Sequence, residues 1–64
     1  MITVNGYEIR LVKKTNKVII FDFHNNLTKD ESLGIMLYLE EEGFLEEHFA
    51  TSGPIRVEIQ RRLL

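Results

Sequence analysis

"KVIIFDFHNNLTKDE", residues 17–31, joins the two kinds of element from which the chain is built. It opens as a run of β-branched and aromatic residues and closes on a helix start, so it reads as a strand handing over to a helix. Thr28, with Glu31 three positions on, makes a capping box in which hydroxyl and carboxylate each satisfy an orphan backbone N–H. Asn25 and Asn26 supply the bend between the two elements. The strand is placed at 17–24 and the helix at 29–42. Gly43 then suits the positive φ of a helix ending and turns Phe44 back toward Leu39.

Working outward, a second strand is expected at about 7–12, joined to the first through the polar loop around Lys13 to Lys17. Asn5-Gly6 carries the type I′ hairpin signal, which makes residues 2–4 a candidate extra edge strand. On the C-terminal side, a helix continuing to Phe49 would bring Glu40 and Glu47 into the apolar arc of Leu33, Met36, Leu37 and Phe44. The chain therefore breaks at Gly43, and the spacing of Phe44, Leu45, His48 and Phe49 fits a short second helical turn. A loop at 51–54 and a strand at 55–61 complete the chain. The expected fold is α+β: a single domain over 1–64, a two-layer ββαβ or βββαβ arrangement with a mixed sheet and one main helix on one face. Strand 17–24 lies centrally and runs parallel to the last strand through a right-handed crossover.

The segment "YLEEEGFLEEHF" (38–49) followed by "IRVEI" (55–59) is similar to a helix, Gly-Phe and strand pattern of a small-subunit ribosomal protein and of several α/β toxin and RNA-binding modules. The likeness covers under half the chain, amounts to a helix ending with its Phe44 contact, and carries no residue across.

Composition narrows the function classes. A chain of 64 residues buries only about 60% of its unfolded surface and has little material left for a pocket of roughly 300 Å³ or more. Size favours binding over catalysis. The composition of 44% hydrophobic and 28% charged residues is that of a folding domain rather than a disordered one. With no cysteine, neither a disulfide nor a thiolate metal site can reinforce the small core, which leaves association with itself or a partner. Neither a signal peptide nor a run of about 20 apolar residues is visible, so a cytoplasmic setting without a membrane is expected. The glycosylation match at Asn26-Leu27-Thr28 is discarded on the same ground.

Three surfaces are candidates for function. Ile19, Phe21 and Phe23 are assigned to the helix side of the sheet, which leaves Val18 and Ile20 beside Val12 on the outer face, where nothing evident covers them. That face, with Arg10 and Arg56, is expected to be an interface, and a homodimer is the simplest occupant. Charge marks a second surface: residues 30–55 hold seven acidic groups and no lysine or arginine, so Glu40, Glu41, Glu42, Glu46 and Glu47 form an acidic helix layer open to a protein partner. The apolar residues Leu33, Ile35, Met36, Leu37 and Leu39 also cover about 200° of the helix, wider than a stripe of roughly 100°; the C-terminal turn together with Leu63 and Leu64 is expected to wrap the excess. Thirdly, Arg10, Arg56 and Arg62 with Lys13, Lys14 and Lys17 give the sheet a basic character that could meet nucleic acid. The aromatic stacking platform is expected to be missing there, and the pI of 5.6 lies far below that of an electrostatic nucleic-acid binder.

Enzymatic readings are weaker. Asp22 and His24 share a strand face, and His48 could join them, but two residues at i, i+2 identify neither a nucleophile, an oxyanion hole nor a phosphate loop. No catalytic residue, metal ligand or cofactor is expected. The chain reads as a small interaction module that acts as a regulator, inhibitor or accessory subunit, with a nucleic-acid-associated module as the alternative.

Overall fold

A computed structural model describes residues 1–49 and 54–62. Four strands and two helices follow in the order β1 (Ile2–Val4), β2 (Tyr7–Val12), β3 (Lys17–Asp22), α1 (Lys29–Glu41), α2 (Phe44–His48) and β4 (Arg56–Arg61). The sheet order is β1-β2-β3-β4; the first two pairings are antiparallel and β3 pairs with β4 in parallel. This is the expected α+β fold, with the optional N-terminal strand present. The loop expected at 51–54 lies outside the described residues apart from Pro54, as do Leu63 and Leu64.

Local chemistry fixes the connections. Asn5 and Gly6 both take positive φ, 51° and 84°, the requirement of a two-residue I′ turn between β1 and β2. A single 3₁₀ turn, Lys13–Thr15, followed by Asn16 at φ 51°, joins β2 to β3. Both halves of the capping box form at Thr28 and Glu31. At the other end of α1, Gly43 has φ 79° and separates the two helices.

The core lies between α1 and one face of the sheet. Ile35 and Leu39 of α1 pack with Val4, Ile9, Val18, Ile20, Leu27 and Phe49. Cross-strand pairs set the register: Ile9 opposes Ile20, Leu11 opposes Val18, and on the far side Val18 and Ile20 meet Val57 and Ile59. Side chains alternate along a strand, so the faces of β3 are the reverse of the sequence expectation. Val18 and Ile20 are fully buried beneath the helix, while Ile19, Phe21 and Phe23 belong to the open face. Asp22 follows Val18 and Ile20 inward. A carboxylate at the strand end suggests a solvent face, yet Asp22 is completely buried because its oxygens accept the Asn26 and Leu27 N–H groups, each at 3.0 Å, and an Arg61 guanidinium N–H at 3.1 Å. Those bonds also end β3 two residues early and bend the chain toward α1.

Candidate functional site

The open face of the sheet is built from three cross-strand rows. Arg10, Ile19 and Glu58 make one, Glu8, Phe21 and Gln60 the next, and Val12, Lys17 and Arg56 the third. Strand spacing places the Cα atoms of Arg10 and Glu58 about 10 Å apart across Ile19. Phe23 continues the β3 line past the strand end, half exposed, with its ring stacked on Phe21 at a centroid distance of 5.7 Å and an interplanar angle of 17°. The face is thus a mixed surface with an aromatic pair at one end.

Its charges are arranged rather than scattered. Lys17 Nζ donates to Glu58 Oε1 at 3.1 Å, and the Gln60 amide donates to the other Glu58 oxygen. The Gln60 bond first, and Lys17 second, hold the Glu58 carboxyl below the usual glutamate range. Arg56 donates to the Thr15 carbonyl at 3.3 Å. Arg10 is exposed.

Of the sequence-predicted interface residues, Arg10, Val12 and Arg56 share the open face, whereas Val18 and Ile20 are core residues. Ile19, Phe21 and Phe23 take their place. The hairpin geometry could have revealed this. A loop that pairs Val12 with Lys17 necessarily sets Ile9 against Ile20 and Leu11 against Val18, and the Asn5-Gly6 turn already puts Ile9 opposite Ile2. The aliphatic residues of three strands then fall on one side.

Glu40, Glu41, Glu42, Glu46 and Glu47 are all exposed on the helix layer. Asp22 and His24 do not form a pair: the Asp22 oxygens are engaged by backbone and Arg61, and His24 is exposed. His48 Nδ1 lies 3.0 Å from the Phe44 carbonyl within α2. Among the described residues no three His, Cys, Asp or Glu side chains converge as a metal site would require, and no helix is long and apolar enough to cross a membrane.

An open cavity of about 250 Å³ lies where the Asn5-Gly6 turn approaches the β3–α1 loop, with Tyr7, Phe21, Phe23, His24, Asn26 and Glu31 in its lining. The Tyr7 hydroxyl is 3.3 Å from Asn26 Oδ1 and 3.4 Å from Glu31 Oε2. Burial, then the Glu31 charge, pushes that hydroxyl above its ordinary value. These polar groups satisfy one another, and the volume lies below the roughly 300 Å³ at which small-molecule pockets begin. The larger feature is the open sheet face beside it.

A scan of protein-family models finds no matching family, and searches of curated proteins and of solved structures find no match to the chain.

Proposed function

We propose that the chain is a small non-enzymatic binding module that pairs with a second copy of itself through the open face of its sheet. The row Arg10–Ile19–Glu58 carries this reading. A two-fold axis lying between two such faces and running along β3 exchanges left and right. Arg10 of each copy then meets Glu58 of the other, while Ile19 meets Ile19 and Phe21 meets Phe21. Face-to-face sheets pack about 10 Å apart, a gap that these side chains fill. One row thus supplies both an apolar centre and opposite charges in self-complementary positions. In this reading the module acts by occupying a surface, as a regulator, inhibitor or accessory subunit does.

Charge exchange tests it. Sedimentation should show a concentration-dependent dimer. Arg10→Glu should weaken it by roughly tenfold or more, because the carboxylate introduced on each copy then faces Glu58 of the other, and Arg10→Glu combined with Glu58→Arg should recover much of the loss. A chain that remains monomeric from micromolar to millimolar concentration, or a double variant no better than its parents, would sink the reading.

A second reading has one observation in its favour. Phe21 and Phe23 sit on the open face, so the aromatic surface expected to be missing is present, and single-stranded nucleic acid binds such surfaces by stacking. Glu8 and Glu58 on the same face, and the overall acidic balance, weigh against it. Salt-sensitive binding of single-stranded RNA or DNA that Phe23→Ala removes would promote it over the dimer.

A further inference from the structure

α1 carries two apolar faces. At 3.6 residues per turn, the midpoint of Leu33 and Leu37 lies about 160° around the helix from the midpoint of Ile35 and Leu39. Ile35 and Leu39 are fully buried against the sheet, whereas Leu33 and Leu37 are 54% and 58% exposed. The wide apolar arc seen in the sequence is therefore a core stripe plus a separate ridge on the opposite side, where a surface helix is ordinarily polar. Half-buried Met36 adjoins that ridge at i+3 from Leu33. Single exposed leucines are commonplace. An i, i+4 pair is instead the ridge that a helix sets into the groove of another helix.

Charge indicates what covers it. Asp30, Glu40 and Glu41 flank the two leucines, and residues 29–48 hold seven carboxylates against the single cation Lys29, a formal charge of −6. Neither ion pair among the described residues involves a carboxylate of this segment. A second copy is a poor occupant. Antiparallel α1 helices would set Lys29 opposite Glu41 but Asp30 opposite Glu40, inside two layers that repel. Nucleic acid and anionic lipid are repelled for the same reason. We infer that the Leu33–Leu37 ridge docks a basic amphipathic helix of another protein, whose apolar stripe covers the leucines while its lysines or arginines meet the flanking carboxylates. This does not rest on the sheet-face dimer; if both hold, the ridges point outward on opposite sides of the dimer and make it bivalent.

The probe is a fluorescent peptide with leucines at i, i+3, i+4 and i+7 and lysines on the flanks, titrated with the full chain. A peptide with the same leucines and glutamate flanks is the control. The lysine peptide should bind, and the glutamate peptide should bind at least about tenfold more weakly. Leu33→Gln with Leu37→Gln should weaken the lysine peptide by roughly tenfold or more, and Glu40→Lys with Glu41→Lys should do likewise. Val57→Ser, at an apolar residue of β4 that is 44% exposed and belongs to neither proposed surface, should leave binding unchanged. All these positions are exposed, and an unchanged urea midpoint would confirm that the variants fold. Equal binding of both peptides, loss with Val57→Ser but not with the leucine pair, or no binding at millimolar protein would overturn the inference. So would self-association abolished by the leucine pair, which would make the chain its own ridge partner.

Discussion

Asp22 shows how one side chain can organise several segments. Its carboxylate gathers the N–H groups of Asn26 and Leu27 and the guanidinium of Arg61, joining the end of β3, the part of the loop that leads into α1 and the end of β4. Removing it strands a buried N–H at Leu27. Asp22→Ala should therefore lower unfolding stability by about 3 kcal/mol, read by urea denaturation. Arg61 is half exposed, so Arg61→Ala should lose only about 1 kcal/mol or less. Equal losses would mean that the ion pair, not the backbone bonds, carries the role. The sequence displayed Asp22 plainly, but its destination depends on N–H groups four and five residues ahead, which strand alternation does not register. Asn25 acts in the same region. It takes φ 52°, and its amide exchanges two hydrogen bonds with the Arg62 backbone, tying the loop to the sheet edge.

At the scale of elements, capping and turn chemistry were legible because they are local. Thr28, Glu31, Gly43 and Asn5-Gly6 each occur where their backbone requires them. Gly43→Ala should cost about 1 kcal/mol in thermal or urea unfolding, since an alanine resists φ 79°. The capping box also predicts an acid response. The Thr28 backbone N–H, more than any other group, holds the Glu31 carboxyl below the ordinary glutamate range. A carboxyl depressed in the folded state stabilises fully above its unfolded value and loses that contribution as pH falls through the folded one. Between about pH 5 and about pH 3 the urea midpoint should fall, and less steeply in Glu31→Gln than in the parent. Identical slopes would show that Glu58, also depressed, and other carboxylates account for the response. The facing of β3 was not legible by the same route. Both of its faces are apolar at the start, so alternation alone leaves two answers, and only the pairing with β2 selects one.

At the scale of the whole molecule, the two layers differ in charge and in what they leave uncovered. The open sheet face mixes cations and anions, the basis of the proposed self-pairing, whereas the helix layer holds seven carboxylates against Lys29, the basis of the proposed basic partner. A salt titration should separate them. Raising ionic strength should weaken a lysine-flanked peptide on α1 more than the apolar-centred sheet dimer; the reverse order would reassign the surfaces. The parallel pairing of β3 with β4 has one more consequence, which concerns the chain while it is being made. β1, β2 and β3 leave the ribosome as neighbours and can pair at once, but the partner for the far edge of β3 is made only after both helices. Until then "VIIF" is an unpaired edge of the kind that recruits other chains. A version ending at residue 53 should therefore precipitate on expression, and an added Ile19→Lys should return it to the soluble fraction. Soluble expression of the shortened chain would sink this idea; in the folded molecule β4 covers the far edge of β3 along Lys17 to Asp22.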